Sequence, residues 1–401
     1  MTQADAAQAH APLEPPRVPF WRAGWTKGAL WQGALLAAFV WLAWSAVENT
    51  AENMRLRGVP TDFSFWWRPA GFDVNQTLIP FSSSSSTYGE AFLVGLLNTL
   101  LVAALGVVLA TVLGFLIGVA RLSTNWIVAK LAAVYVEVIR NTPLLLQLLF
   151  WYNAALKPLP NPRQSVALPG GIYLNNRGLF APEPIFGPHF DWTLWALGAA
   201  VVVSLGLRAY GKRLRATTSR RPPMGRIALA LMIGLPLLAF LAAGAPLAWS
   251  VPELRGFNFQ GGVRIYPEFV ALLLGLSLYT AAFIAEIVRA GVLSVSHGQS
   301  EAAAALGLPR VRALRLVVIP QAMRVVVPPL TNQYLNLTKN SSLAVFVGYP
   351  DLVQVFAGTV LNQTGAAVQV ISITMAVYLV ISLATSAAMN LYNRRMALAE
   401  R

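Results

Sequence analysis

Five ionisable side chains lie inside otherwise apolar segments, and they are the residues best placed to do chemistry within a membrane. They are Glu137, Arg140, Glu286, Arg289 and Lys339. The two residues of each Glu–Arg pair are three positions apart, so they share one face of a helix and can form an ion pair. Because a charge at mid-bilayer costs about 2.5–3.5 kcal/mol on insertion scales, each should face protein or water rather than lipid. The pairs either lock helices together or line a polar path, and the sequence leaves both roles open.

Lys339 has no oppositely charged residue near it in the sequence. It follows Asn332, Gln333 and Asn336 in a segment that two adjacent prolines weaken as a helix. Polar residues at this spacing could line a cavity that accepts a carboxylate group, with Lys339 as the cation. The alternative is that the Lys339 ammonium reaches the membrane surface along its flexible stem.

The chain lacks the residue clusters that covalent or metal chemistry needs. It has no cysteine, and its three histidines, His10, His189 and His297, lie far apart in sequence. No nucleophile–base pair or group with metal-ligand spacing is evident, so we expect no catalytic residue, no metal site and no cofactor. Residues 206–212 have the glycine and lysine spacing of a P-loop, but Arg213 stands where a Ser or Thr is required. Any ATP chemistry is therefore expected in a separate subunit.

Composition places most of this chain in lipid. Hydrophobic residues make up 56% of the 401 residues and charged residues only 11%, whereas soluble domains contain about 25% charged residues. A spanning helix needs about 20 mostly apolar residues. The sequence therefore predicts an all-α polytopic membrane protein with about eight transmembrane helices, at about 29–47, 92–120, 131–154, 192–208, 227–249, 269–293, 325–346 and 369–391.

Two glycines in the second predicted span are candidates for close helix packing. Gly114 and Gly118 have the four-residue spacing of small residues that lets two membrane helices approach each other. Such matches arise by chance in a glycine-rich membrane protein. We interpret this one as packing within the chain.

The distribution of Lys and Arg predicts the side of the membrane on which each segment lies. If the N-terminus is inside, 19 basic residues fall in cytoplasmic segments and 8 in external ones. This excess agrees with the positive-inside rule, by which Lys and Arg concentrate in cytoplasmic segments. The densest basic run is 208–226. The net charge of +14 is therefore interpreted as topology and contact with anionic lipid, not as nucleic-acid binding. We expect both termini in the cytoplasm and residues 49–90 and 155–191 outside.

Residues 296–320 have the pattern of a compact helix–turn–helix between two apolar segments. Residues 299–306 are rich in helix formers. Gly307 can take the left-handed conformation that ends a helix, and Pro309 prevents its continuation. The second helix presents three arginines, at 310, 312 and 315. A short rigid helix that projects from a membrane suits docking of a soluble partner, and an ordinary basic loop is the alternative.

Fixed spacings in this loop carry a family resemblance. Glu301-Ala302-Ala303, Gly307 and Ile319-Pro320 repeat the spacing of the EAA loop of permease subunits of bacterial ABC importers, which this chain resembles. Further stretches look like the polar-amino-acid branch of these permeases. They are Gly95-Leu-Leu-Asn98-Thr99-Leu, the run from Glu137 to Gln147, Ala285-Glu286-Ile-Val-Arg289-Ala-Gly291, and Lys339-Asn340-Ser341-Ser342-Leu343. Together they cover about 91–156 and 265–395, which is over half of the chain.

The resemblance implies a division of the chain into a core and additions. Five helices within 91–395 would form the permease core, with a cytoplasmic EAA coupling helix in the loop. The additions would be a cytoplasmic tail at 1–28, a first helix at 29–48, an external loop at 49–90, and an insertion at about 157–265 that holds an external loop and two extra helices. The coupling residues would be Gly298, Glu301, Ala302, Ala303, Gly307 and Pro320.

The resemblance also implies a function and partners. The chain would be an inner-membrane subunit that moves polar L-amino acids, either glutamate, glutamine, aspartate and asparagine or a broad range. ABC ATPase subunits would dock on 296–320, a homologous or identical second permease would pair with the chain, and a periplasmic amino-acid-binding protein would deliver substrate. The alternatives are a stand-alone secondary transporter or channel for small polar solutes, against which the EAA spacing argues, and a membrane-bound enzyme, for which the residues offer little.

Overall fold

The computed structural model describes residues 24–56, 58, 60, 62–217 and 223–396, and this part of the chain is mostly helical. Short 3₁₀ or π-helical turns extend several of the helices, at 150–156, 314–318, 341–346 and 353–360. The α-helices are α1 Gly24–Leu56, α2 Tyr88–Ala120, α3 Trp126–Asn141, α4 Leu144–Leu149, α5 Asp191–Thr217, α6 Met224–Ala242, α7 Pro267–Leu293, α8 His297–Ala305, α9 Arg310–Ala313, α10 Ile319–Asn340, α11 Leu361–Thr364 and α12 Ala367–Met396.

The helices confirm a polytopic membrane protein. Within the described residues, seven helices are long and apolar enough to cross a membrane, and there are up to eight spans if α3 and α4 are taken as one bent span. The predicted fifth span, 227–249, is too long, because α6 ends at Ala242 and a strand begins at Leu247. An apolar run without charge does not distinguish a helix from a short strand that follows it. Most of the predicted tail at 1–28 lies outside the described residues.

The predicted third span is broken between α3 and α4. The two helices meet at an angle of 107°. Thr142 is extended, as a residue before proline tends to be, and the ring of Pro143 prevents the helix from continuing. The amide of Gln147 donates hydrogen bonds to the freed carbonyls of Ile139 at 2.9 Å and Thr142 at 3.0 Å. These bonds make the break tolerable within a membrane, where unsatisfied backbone groups are costly.

The helices α2 and α7 form the most extensive helix pair of the core. A Cβ atom on Gly118 would lie 2.8 Å from the carbonyl oxygen of Ala285, and one on Gly114 would lie 3.1 Å from that of Ala281. The four-residue spacing of the glycines on α2 therefore matches that of the alanines on α7. This contact confirms the interpretation of the glycine pair as packing within the chain.

The helices α1, α5 and α6 stand apart from the buried core. The hydrophobic clusters among the described residues draw on α2, α3, α4, α7, α10, α12 and their connections, and contain no residue of these three helices. The helices α5 and α6 pack on each other, with the Ser204 hydroxyl 3.4 Å from the carbonyl oxygen of Ala228. Their remaining surface is apolar and exposed, as expected for helices that contact lipid.

The segments that flank α5 and α6 form a small β-structure, here called the β-cap, whose strands sequence reasoning did not identify. Its strands are β1 Val166–Leu168, β2 Ile172–Asn175, β3 Gly178–Ala181, β4 Glu183–Phe186, β5 Leu247–Ser250, β6 Glu253–Arg255, β7 Asn258–Gln260 and β8 Val263–Ile265. They form an antiparallel sheet in the order β1-β2-β3-β8 and two separate antiparallel strand pairs. A tight turn joins β6 to β7, whereas α5 and α6 connect β4 to β5; both pairs are called hairpins below. Pairing of β3 with β8 joins the chain before α5 to the chain after α6.

A valine at position 118 tests the close approach of α2 and α7. Gly118→Val would push a branched side chain into the α7 backbone, and overpacking of this kind costs about 1–3 kcal/mol. We expect a lower melting temperature and a smaller monodisperse fraction on size-exclusion chromatography in detergent. Gly198→Val on α5 is the control, because a Cβ atom there would meet no atom within 4 Å. Equal losses in the two variants would contradict the role of this contact.

Candidate functional site

The loop at 296–320 is built on a well-defined turn at Gly307. Gly307 has φ of +72°, the left-handed conformation that its position after α8 requires. Its N–H donates to the carbonyl of Ala304 at 2.9 Å, and the N–H of Leu308 donates to that of Ala303 at 3.1 Å. This pair of bonds is the Schellman motif of a helix C-terminus. Pro309 then caps α9, so the chain turns sharply between two short helices.

The loop is anchored on one side and exposed on the other. Ala303 is buried, and the amide of Gln321 at the start of α10 donates to Gln299 Oε1 at 3.1 Å. At the tip, Leu306 is 80% exposed and Val311 is 76% exposed. Exposed apolar side chains on a rigid, anchored helix pair are a surface suited to another protein.

The charged and small residues of the loop surround this apolar tip. Glu301 is exposed, and its carboxylate lies 3.0 Å from Nδ1 of His297. Ala302 is also exposed, Gly298 has open space around it, and Pro320 lies half-buried in the first turn of α10. The three arginines at 310, 312 and 315 are exposed. The loop therefore presents an apolar tip between one acid and a basic cluster.

A three-residue ion cluster joins the end of α2 to α7. The carboxylate of Glu286 accepts a hydrogen bond from Arg289 at 2.5 Å and another from Arg121, which directly follows α2. The predicted Glu286–Arg289 pair is therefore present. Arg121 is the partner that sequence reasoning missed, because it is 165 positions away along the chain. All three side chains are at least two-thirds buried, which limits screening by solvent.

The possible Glu137–Arg140 pair differs from the Glu286–Arg289 pair. No ion pair joins these two residues, both of which the structure describes as exposed. The Arg140 guanidinium instead lies over the ring of Phe283 on α7, 5.1 Å from its centroid. The ring face attracts the cation, so Arg140 contacts a neighbouring helix rather than the acid on its own helix. The backbone carbonyl of Glu137 accepts a hydrogen bond from the side-chain amide of Asn141 at 2.8 Å.

The helix α10 carries a polar stripe, defined here as Asn332, Asn336 and Lys339. All three side chains are exposed, and their spacing of four and three residues puts them on one face. Gln333, beside the stripe, is half-buried. Since α10 belongs to a candidate membrane span, the stripe would be costly against lipid. A surface of this kind suits water or a second protein.

Lys339, at the end of the stripe, lines a cavity of about 420 Å³ between α10 and α12. The cavity is lined by hydroxyl groups and apolar side chains. Among the described lining residues there is one cation and no acid. The main ones are Lys339, Ser342, Thr374, Met375, Tyr378 and Ser382. The hydroxyls of Ser342, Thr374 and Tyr378 already donate hydrogen bonds within the chain. The Lys339 ammonium is therefore the group in this cavity that can bind a carboxylate.

A buried carboxylate supports one wall of this cavity. Asp351 is fully buried, and its two oxygens accept hydrogen bonds from the backbone N–H of Gln354 at 2.8 Å and the hydroxyl of Tyr378 at 3.3 Å. Burial raises the pKa of Asp351 to about 7. Sequence reasoning did not identify Asp351 or Tyr378, although an isolated acid beside a long charge-free run was a signal for the first.

The second helix holds the turn that contains Asp351. The Asn98 amide donates to the carbonyl of Pro350 at 2.9 Å, and Thr99 Oγ1 accepts from the N–H of Leu352 at 3.0 Å. A Cβ atom on Gly95 would lie 2.9 Å from the Leu352 Cα. The Gly95–Thr99 stretch therefore serves as a docking surface for this turn. Within the described residues, no group of three or more His, Cys, Asp or Glu is placed to hold a metal ion.

Comparisons with known proteins agree on one family. The family described as "Binding-protein-dependent transport system inner membrane component" matches residues 231–398. The protein YhdX of Escherichia coli is 52% identical, over 93% of this chain and 94% of its own length. The general L-amino acid transport system permease protein AapQ of Rhizobium johnstonii is 52% identical, over 92% and 90%. The glutamate/glutamine/aspartate/asparagine transport system permease protein BztB of Rhodobacter capsulatus is 43% identical, over 91% and 92%.

Removal of the shared carboxylate should cost more than removal of either arginine. Glu286→Ala leaves two cations without their acid, whereas Arg289→Ala leaves the Glu286–Arg121 pair intact. Breaking a fully buried ion pair costs about 3–5 kcal/mol, and partial exposure puts the expected loss below that range. In detergent, Glu286→Ala should have a lower melting temperature than Arg289→Ala. Glu137→Ala is the control, and its melting temperature should be close to that of the unchanged protein. An equal effect of the first two variants would contradict the shared role of Glu286.

Proposed function

Because this chain belongs to the family of inner-membrane permeases of binding-protein-dependent amino-acid ABC transporters, we propose that it conducts polar L-amino acids through the inner membrane. It is a multi-pass membrane transport subunit rather than an enzyme. The names of AapQ and BztB support polar L-amino acids as the substrate class. Membership of this family does not favour a stand-alone transporter or channel.

The loop at 296–320 is the proposed docking site for a separate ATPase subunit. The observation that carries this proposal is the exposed tip formed by Leu306 and Val311 on two helices that the Gly307 turn holds at a fixed angle. The loop continues through a π-helical turn into α10, which bears the polar stripe. Movement of the loop when the ATPase closes would therefore be passed directly to α10.

A valine at Gly307 should uncouple transport from the ATPase. A left-handed conformation costs about 1–2 kcal/mol for an L-residue, so Gly307→Val should redirect the chain after α8 and abolish amino-acid uptake into vesicles, while the protein remains in the membrane. Gly307→Asn is the matched control, because asparagine tolerates this conformation. Glu301→Lys should weaken co-purification of the ATPase, because it reverses an exposed charge on α8. Normal uptake by the Glu301→Lys/Gly307→Val protein, with its ATPase bound, would refute the docking role.

A second permease subunit, identical or homologous, is proposed to face the polar stripe of α10. Asn332, Asn336 and Lys339 need a polar environment within the membrane, and a path shared by two permeases would supply it. Lys339 would bind the substrate carboxylate in the cavity beside the stripe. The hydroxyl oxygens of Ser342 and Tyr378, which already donate within the chain, would accept hydrogen bonds from the substrate ammonium group. Because this cavity has a cation and no acid, it favours acidic and neutral amino acids over basic ones.

Neutral substitution of Lys339 should slow uptake without loss of assembly. A hydrogen bond to a charged group contributes about 1.5–3 kcal/mol, so Lys339→Met should lower uptake of glutamate at limiting concentration by about tenfold or more. Lys339→Arg should retain part of the activity. Lys130→Met, at an exposed lysine on α3 away from the cavity, is the control. If Lys339→Met transports glutamate normally, Lys339 has no part in substrate binding.

The chain is proposed to place both termini in the cytoplasm and the β-cap in the periplasm, where an amino-acid-binding protein would deliver substrate. The excess of basic residues in the segments assigned to the cytoplasm supports this orientation. Part of the basic run at 208–226 lies outside the described residues. The start of α6 at Met224 and the exposed edge strand β1 would then lie on opposite sides of the membrane.

Cysteine labelling tests this orientation, because the chain contains no cysteine. In intact spheroplasts, an impermeant maleimide should label Ala167→Cys on β1 but label Gly225→Cys on α6 only after lysis. Both positions have open space around the side chain, so access depends on the side of the membrane. Labelling of Gly225→Cys in intact spheroplasts would reverse the assignment.

A further inference from the structure

The hairpin β4–β5 continues directly from the helical pair α5–α6, and we propose that it lies in the headgroup layer of the bilayer as an interfacial anchor of the β-cap. Phe186 at the end of β4 is five residues before the start of α5, and Leu247 at the start of β5 is five residues after the end of α6. These two residues pair with each other. The end of the hairpin nearest the helices is therefore its most apolar pair.

The lengths of these elements place the hairpin at the membrane boundary. The helix α6 has 19 residues, which at about 1.5 Å per residue is close to the hydrocarbon thickness of about 30 Å. Its end at Ala242 therefore lies near the boundary of the hydrocarbon. The four paired residues of the hairpin extend about 10 Å further at about 3.3 Å per residue. The headgroup layer is about 5–8 Å deep on each side, because the two layers bring the bilayer from about 30 Å to about 40–45 Å. The Phe186–Leu247 end of the hairpin therefore lies within this layer, and the Glu183–Ser250 end reaches water.

The side chains of the hairpin match this layer. Ile185 is 51% exposed, Phe186 57% and Trp249 58%, so the apolar side chains are not covered by the rest of the chain. Trp192 and Trp195 in the first turns of α5 are also exposed. Tryptophan and other aromatic residues concentrate at membrane interfaces, where one end of the ring system is apolar and the other is hydrated.

Charge is absent from the hairpin where lipid contact is proposed. No Asp, Glu, Lys or Arg occurs at 184–190 or at 227–252. The first charged residue of the hairpin is Glu183, which pairs with Ser250 at the end farthest from the helices. The second hairpin, β6–β7, differs: it carries an exposed Glu253–Arg255 ion pair, and its exposed Phe257 lies under the guanidinium of Arg163 at 4.3 Å. That hairpin is suited to water.

The hairpin also needs a covering surface. It forms a two-stranded sheet separate from the β1-β2-β3-β8 sheet, and most of its residues are exposed on both faces. Two strands alone are marginally stable in water. Lipid headgroups and the upper acyl chains would cover the apolar side chains. The continuity of the hairpin with two lipid-facing helices favours lipid over a protein partner.

Depth-dependent fluorescence quenching tests the anchor. The full-length chain, free of native cysteine, would be labelled with an environment-sensitive fluorophore at Ile185→Cys, with Phe186→Cys as a second probe, and reconstituted into phosphatidylcholine nanodiscs. Phe257→Cys on β6–β7 is the matched control, since it is an exposed apolar residue on the neighbouring hairpin. We expect lipids spin-labelled near the headgroup to quench the probes at 185 and 186 several-fold more than the probe at 257, and aqueous iodide to show the opposite order.

Two outcomes would overturn the proposal. Iodide quenching at 185 and 186 equal to that at 257 would place the hairpin in water. Protection at both positions from iodide and from spin-labelled lipid alike would mean that protein covers the hairpin. Only monodisperse reconstituted protein would be compared, so that a misfolded variant does not enter the result.

Discussion

The close approach of α2 and α7 is the contact on which the other features of the chain depend. Two glycines on α2 meet the backbone of α7, and the Glu286 carboxylate binds the arginine that follows α2. In lipid there is little hydrophobic drive for helices to associate, so close packing and polar bonds of this kind must supply the attraction. The far end of α7 leads within a few residues into α8, so this contact also sets the position of the helical loop.

The same helix α2 organises the opposite end of the core. Its first turns, through Asn98 and Thr99, hold the turn at 350–352, and that turn places Asp351 against Tyr378 on α12. Tyr378 in turn forms part of the wall of the Lys339 cavity. The helix α2 therefore helps to position both candidate sites. It positions the loop through its contact with α7, and the cavity through its contact with the turn at 350–352. A change in its packing should reach both.

Polar groups in this chain divide into those that are satisfied within it and those that are not. Glu286 and Asp351 each have hydrogen-bond partners in the described structure. The polar stripe of α10 and the exposed Glu137 instead face outward from the buried core. Because unpaired polar groups are costly in lipid, the outward groups mark the surfaces where water or another subunit is needed. The β4–β5 hairpin is the reverse case, because its end nearest the helices is uncharged and aromatic and suits lipid although it lies outside the helices.

The sequence alone determined the features that depend on local pattern. Long apolar runs predicted the spans, and the order of helix formers, Gly307 and Pro309 predicted the turn in the loop, because hydrophobicity and backbone conformation are properties of neighbouring residues. Tertiary structure decided which distant groups meet. Glu286 binds Arg121, which follows α2, Arg140 contacts Phe283 on α7, and Asp351 meets Tyr378 on α12. The four-stranded sheet of the β-cap likewise depends on the pairing of β3 with β8, which α5 and α6 separate along the chain. Spacing along one helix shows which residues share a face, but it does not show which neighbour that face will contact.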